Sequence, residues 1–183
     1  MTLQRADTQQ LLHEYNQGDR DFSGASLHGA SLIGKSLIGI DFRRCDLSSA
    51  DLSRSDLSRS QLAEANLTDA ELVDAELNGA NLQGANLIGA NLQISRLIGA
   101  DLMGADLRTA NLSGADLRGA DLRGAKLSGA ILQNADLTGA RMDARELEVT
   151  DYDMAIIEGL NADVTCDVHV ESLHWVSWGA SVP

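Results

Sequence analysis

A leucine recurs every five residues through most of the chain. Of the 25 positions with numbers ending in 2 or 7 from Phe22 to Met142, 22 are leucine, and the others are Phe22, Phe42 and Met142. Two places before each of these centres the residue is small. There are 18 alanines and three serines, with Arg20, Lys35, Ile40 and Cys45 as exceptions. The residue just before the centre is mostly Asp, Asn, Ser or Glu, and two places after it stands glycine in 14 of the 25 units.

A strict period of five fits neither regular element. In an α-helix five residues turn about 500°, so successive leucines step by about 140° and wrap every side. In a strand side chains alternate, so successive leucines fall on opposite faces. A chain that turns once per five residues buries them together. The leucine and the small residue then point inward, the polar residue and the two after the leucine point outward, and glycine takes the left-handed geometry of each corner. The pattern predicts an all-β solenoid with coils stacked about 4.8 Å apart.

The A-(D/N)-L-x-G unit, as in Ala80-Asn81-Leu82-Gln83-Gly84, resembles the repeat of the pentapeptide-repeat proteins, and the match runs unbroken from Arg20 to Ala144. The segment Leu11-Leu12-His13-Glu14-Tyr15, followed by Gly18-Asp19-Arg20-Asp21-Phe22, is similar to the start of cyanobacterial members. The resemblance implies a right-handed quadrilateral β-helix with four pentapeptides per coil. Charge spacing only narrows that choice. Between residues 20 and 148, spacing 20 gives eight opposite-charge pairs against five like ones, among them Arg44–Glu64, Arg54–Asp74, Glu76–Arg96–Asp116 and Asp106–Lys126–Glu146. Spacing 15 gives mostly like-charge pairs, whereas spacing 25 gives seven against five, so the number four comes from the resemblance.

Four units per coil make six to seven coils, roughly 30–34 Å tall, with three looser units centred on Leu147, Tyr152 and Ile157. Phe22 and Phe42 then stack on one face. We expect three parts: an N-terminal helical cap over residues 1–19, the β-helix over 20–159 (strict repeat 20–144), and a cap or interface tail over 160–183. Thr8 to Gln17 reads as the cap helix, started by Asp7 or Thr8 and ended by Gly18. Its Leu11, Leu12 and Tyr15 share the covering face. In the tail, Val164, Cys166, Val168 and Val170 alternate as in a strand. That tail also holds both tryptophans, Trp175 and Trp178.

Composition excludes several classes. The formal net charge is −13, against direct nucleic-acid binding, which needs clustered Lys and Arg. No aromatic residue occurs between positions 43 and 151 to stack a base. No apolar run approaches the roughly 18 residues of a membrane helix, and Met1 to Gly18 lacks a signal-peptide core. Cys45 and Cys166 read as free thiols, which places the chain in the cytoplasm.

No catalytic, cofactor-binding or metal-binding residue is expected, and no cofactor; the chain reads as no enzyme. The aspartates before the leucines are too regular for a catalytic pair and read as outward residues bonding turn backbone. A strand through Cys166, Val168 and His169 puts the thiol and the imidazole on opposite faces, so they and His174 make no metal site. His28 reads as solvated, and Lys35 as snorkelling outward. Ile88, Ile94 and Ile98 fall on three faces, and Ile33 and Ile38 on two, so no binding face is localised.

The remaining reading is a non-catalytic structural or protein-interaction module with an unidentified protein partner. The resemblance supplies an alternative, because some family members are acidic rod-like dimers that resemble duplex DNA and act on DNA gyrase. Here residues 20–144 carry 16 acids and 12 bases, with Arg43, Arg44, Arg54, Arg59, Arg108, Arg118 and Arg123 outward, so no strongly acidic face is expected. Residues 145–183 carry net −7, which favours a monomer over an end-to-end dimer through the tail.

Overall fold

A computed structural model describes residues 8–147, 150–151 and 153–163. From Asp21 to Asp136, the residue before each centre, Lys126 excepted, pairs in parallel with the residue twenty places later. Asp21 pairs with Asp41, Ser26 with Asp46, Ser31 with Asp51 and Ser36 with Asp56, and the series continues to Asp136 with Ile156. Twenty residues are four units, so the four-per-coil period is realised. The four faces are named here by their first centres: face 1 from Phe22, face 2 from Leu27, face 3 from Leu32 and face 4 from Leu37.

Backbone hydrogen bonds run along the stack. Each centre donates to the carbonyl 19 residues on (Leu52 to Glu71, 2.7 Å), and so does each corner (Arg54 to Val73, 2.8 Å). The small residue's carbonyl accepts from 21 residues on (Glu71 to Ala50, 2.9 Å), while its amide closes the unit onto the preceding centre (Ala50 to Leu47, 3.0 Å). Every centre from Phe22 to Met142 is buried, each leucine contributing roughly 1.5–3 kcal/mol. The rings of Phe22 and Phe42 meet edge-on at 6.4 Å.

The exceptions at the small position divide by chemistry. Ile40 and Cys45 join the core. Burial pushes the Cys45 thiol up to about 12, and its Sγ–H donates to the Phe22 carbonyl. Arg20 and Lys35 stay exposed. Ser55 and Ser95 donate to the carbonyls of Leu52 and Leu92, both at 2.7 Å. The Ser60 hydroxyl is buried without a partner among the described residues.

Before the coils, α1 (Thr8–Gln17) buries Leu11 in the core and packs Leu12 and Tyr15 against it. The Tyr15 hydroxyl donates to the Ile38 carbonyl at 3.0 Å, and the Arg20 guanidinium lies 4.0 Å from its ring centre. Gly18, at φ 108°, donates to the Tyr15 carbonyl and turns the chain out of the helix.

The other end corrects one expectation. β1 (Asp121–Leu122), β2 (Arg141–Asp143) and β3 (Asn161–Asp163) form a parallel sheet in that order, with Arg141 opposite Asn161. Between β2 and β3, the unit expected around Leu147 is instead a helical turn, α2 (Ala144–Leu147). Its cause is visible in the pairing. In the coil before, Gly104 and Leu107 donate to the carbonyls of Arg123 and Lys126. At the helical turn carboxylates take over: Gly124 donates to Asp143 Oδ2 (3.0 Å) and Leu127 to Glu146 Oε2 (2.7 Å). The twenty-residue register survives the substitution, since Ile131 pairs with Asp151. The expected centre Tyr152, the helix-start candidate Asp7, Trp175, Trp178, the alternation from Val164 to Val170, Cys166, His169 and His174 lie outside the described residues.

Candidate interaction surface

The Asp or Asn before many of the centres holds the turn that follows it. Asp51 Oδ1 accepts the Ser53 amide at 3.0 Å, Asn81 Oδ1 the Gln83 amide at 3.0 Å, and Asp136 Oδ1 the Thr138 amide at 2.9 Å. This is the Asx turn, in which a short polar side chain mimics backbone. These carboxylates serve the fold, as the sequence reading expects.

A second use of the same acids escaped that reading. In Asp41-Phe42-Arg43, Asp106-Leu107-Arg108, Asp116-Leu117-Arg118 and Asp121-Leu122-Arg123, the arginine reaches back across the intervening buried residue. Arg108 donates from Nε to Oδ1 (2.7 Å) and from Nη2 to Oδ2 (2.8 Å) of Asp106, and Arg118 grips Asp116 the same way. The arginine's hydrogen bond is the first cause holding the carboxyls of Asp41, Asp106, Asp116 and Asp121 below the usual carboxylate range. The signal was present as acid and base two residues apart on one face. Of the ladders twenty residues apart, Arg44–Glu64 closes at 2.9 Å, Glu76–Arg96 at 3.3 Å and Asp106–Lys126 at 3.5 Å. Asp116 binds Arg118, and Glu146 accepts the Leu127 amide.

His28, Ser48 and Asp46 sit together on face 2, yet their order is wrong for nucleophilic catalysis. Ser48 Oγ donates its proton to Asp46 Oδ1 at 2.6 Å. His28 Nδ1, 2.8 Å from Ser48 Oγ, therefore approaches as a donor and does not act as base toward that hydroxyl. Among the described residues no group of His, Cys, Asp and Glu could hold a metal ion. A groove of about 350 Å³ lies where faces 1 and 2 meet, lined by Ser23, Gly24, Arg43, Arg44, Ala63 and Glu64. Its two arginines are paired with Asp41 and Glu64.

The corners distinguish one stretch of the tower from the rest. Every corner from Gly24 to Gly139 is left-handed, including those without glycine. Arg44, Ser49, Arg54, Arg59, Glu64, Asp69 and Asp74 occupy seven successive corners at φ between 53° and 59°. A left-handed residue with a Cβ costs roughly 1–2 kcal/mol. Six of the seven are charged. The coil 41–60 supplies the arginines; the coil 61–80 holds Glu64, Asp69, Glu71, Asp74 and Glu76 and no base. Arg54 and Arg59 project into solvent. This collar girdles all four faces. Summed by face between residues 21 and 144, the excess of acids never exceeds two, so no side of the tower is strongly acidic. Of the isoleucines, Ile33, Ile38 and Ile94 are exposed and Ile88 and Ile98 half-buried, and they gather on no single face.

Among the described residues no helix is long and apolar enough to cross a membrane. No match is found among curated proteins. The chain is similar to several solved structures. HetL, a pentapeptide-repeat protein involved in heterocyst differentiation regulation from the cyanobacterium Nostoc sp. strain PCC 7120, is 28% identical. It matches over 86% of this chain and 95% of its own, at a TM-score of 0.36. Rfr23 from the cyanobacterium Cyanothece 51142 is 24% identical over 84% of this chain and 95% of its own, at 0.51, a likeness of fold. QnrB1, a plasmid-mediated fluoroquinolone resistance protein, is 19% identical over 77% and 90%, at 0.41. The model of pentapeptide repeats matches eight copies, in segments 21–59, 55–93, 70–109, 85–124 and 105–143. With its twenty-residue pairing and buried centres, the chain belongs to the pentapeptide-repeat family, whose members fold as right-handed quadrilateral β-helices and are generally non-catalytic structural modules.

Proposed function

We infer that this chain is a non-catalytic, cytoplasmic tower that displays the collar of residues 41–80 to a protein partner. Its parts are a helical cap over residues 1–19, a β-helix of six to seven coils over 20–159 and a terminal tail over 160–183. The observation that carries the reading is the run of seven side-chain-bearing left-handed corners from Arg44 to Asp74. Glycine serves the same corner elsewhere without strain, so charge is held here against a local backbone cost, as at functional sites. A rigid core beneath the collar fixes its spacing, so a partner meets a preorganised surface.

A photo-crosslinking residue placed at Arg54 or at Asn134 tests this directly. Both are corners of one ridge, four coils apart. The partner is expected to cross-link from Arg54 and not from Asn134, and the triple change R54S/R59S/D74S is expected to abolish capture without lowering the urea midpoint. Equal cross-linking from both corners would overturn the reading. The alternative, a DNA mimic acting on gyrase, requires a strongly acidic side. The Asp–Arg couples and the even spread of charge over the faces oppose it, and inhibition of gyrase supercoiling by the purified chain would reinstate it.

A further inference from the structure

The collar is not alike on all its sides, and face 4 of its first coil differs from the others. That strip, residues 55–57, is bounded by the turns that carry Arg54 and Arg59, both exposed. Neither is within ion-pair distance of a carboxylate among the described residues, whereas every other base from Arg43 to Arg141 is. In the coil before, the matching strip 35–37 pairs with it through Ser36 and Asp56. The turns that bound this second strip carry Ile33 and Ile38, which are 40% and 45% exposed. The two isoleucines belong to units of different faces, yet their turns frame one strip. Lys35 lies within it, exposed and likewise without an ion pair among the described residues.

Two exposed apolar side chains and three uncommitted cations therefore border one short stretch of face 4, in the coils 21–60. The acid of that stretch is already engaged, because Asp56 Oδ1 accepts the Ser58 amide at 3.0 Å. Elsewhere a guanidinium is answered by an acid of its own coil or the next; here the positive charge is left for something outside the chain. Arg54 and Arg59 also stand at φ 58°, where glycine carries no strain.

We propose, with the collar as the display surface, that its occupant at face 4 is a short acidic segment of a protein partner, with apolar side chains among its carboxylates. The carboxylates meet Lys35, Arg54 and Arg59, and the apolar side chains cover Ile33 and Ile38. That cover excludes water from the charge pairs and so strengthens them. The tower itself limits the length of the occupant. The next coil, 61–80, carries Glu64, Asp69, Glu71, Asp74 and Glu76 and no base, and Asp74 stands on the same ridge as Arg54. A long polyanion such as a nucleic acid would run onto these carboxylates and be repelled. A segment confined to the coils 21–60 would not.

A random library of short peptides, selected on the immobilised full chain, tests the proposal. The enriched sequences are expected to be net acidic with apolar residues interspersed. Individual enriched peptides are expected to bind about tenfold more weakly to R54S/R59S and to I33S/I38S, with the urea midpoint of neither variant lowered. R44S removes the same kind of charge at a collar corner that does not border face 4, and is expected to leave their affinity unchanged. Enrichment of basic peptides, or of none over the blank support, would overturn the proposal. So would peptides that I33S/I38S leaves unaffected or that R44S weakens equally. If R44S or R54S/R59S still weakens such peptides, the collar stands as the binding surface; if no collar variant does, the collar reading falls as well.

Discussion

The coils 41–80 and 101–140 share one core and one pairing pattern but differ at their corners. In the second stretch glycine fills Gly104, Gly114, Gly119, Gly124, Gly129 and Gly139, and only Thr109 and Asn134 depart from it. In the first, glycine appears only at Gly79. Both stretches keep the same left-handed φ and the same donor two residues after each centre. Corner identity is therefore not what makes the coil turn. The buried leucine and the small residue behind it set the geometry, and the corner residue bears it at whatever strain its side chain brings.

The largest expected effects test whether the core is common to both stretches. Replacing Leu62 or Leu102 with alanine is expected to lose about 2–5 kcal/mol in either case, measured by urea unfolding. A collar leucine far less costly than its counterpart would show that the two stretches are not packed alike. Corner exchanges come next. Ile94→Gly and Arg59→Gly are expected to gain roughly 1–2 kcal/mol by relieving a left-handed side chain, Ile94 being also β-branched. Gly119→Ala is expected to lose a similar amount. Nothing lies within 4 Å of where its Cβ would stand, so that loss reports backbone strain alone. If Arg59→Gly also lost stability, the collar would be structural and its proposed role would fail.

Two smaller effects sharpen the comparison. Ser60→Ala removes a buried hydroxyl without a partner, whereas Ser55→Ala removes one that donates to Leu52. The first is expected to be more stable than the second by about 1 kcal/mol, read from paired urea midpoints. The smallest effect is acid dependence. Asp41, Asp106, Asp116 and Asp121 have lowered pKa values in the fold. The unfolded chain therefore binds their protons at a higher pH than the folded one does. Their contribution is complete above the ordinary carboxylate value of about 4 and is lost as pH falls through the folded values. The guanidiniums are 34–55% exposed, so water screens each pair and its contribution stays below about 1 kcal/mol. Arg108→Ala and Arg118→Ala are expected to flatten the loss of stability below pH about 4, and an unchanged profile would assign it to other carboxylates.

The regular part of the fold was legible because its period is strict. The inward alanines and the shared face of Phe22 and Phe42 follow from which positions repeat, while α1 and its buried Leu11 were legible from Thr8, Gly18 and the apolar spacing between them. Lys35 was legible as well, because a charged stem cannot enter a core lined by leucine and alanine. What the repeat hid was chemistry at its own spacing. Asp106 and Arg108 look like consensus and variable residues, and only the folded coil brings the guanidinium back over the carboxylate. α2 was missed for a different reason. Leu147 satisfies the centre position, yet Asp143 and Glu146 supply side-chain acceptors where backbone carbonyls had served, and a helical turn fits within the register. The collar was written plainly in the absence of glycine from Arg44 to Asp74, but strain at a corner has no sequence signature apart from the missing glycine.

Pairing at twenty residues over a repeat of five separates height from orientation. Excising four consecutive units would shorten the tower by one coil, about 4.8 Å, and leave every column of side chains in line. Excising one unit would keep every centre inward yet swing all that follows by a quarter turn, so that Asp74 would no longer stand over Arg54. The core tolerates growth by fives; the surface keeps its alignment only in twenties. Two towers with identical interiors, differing in length by a single unit, would therefore offer the same partner different sides.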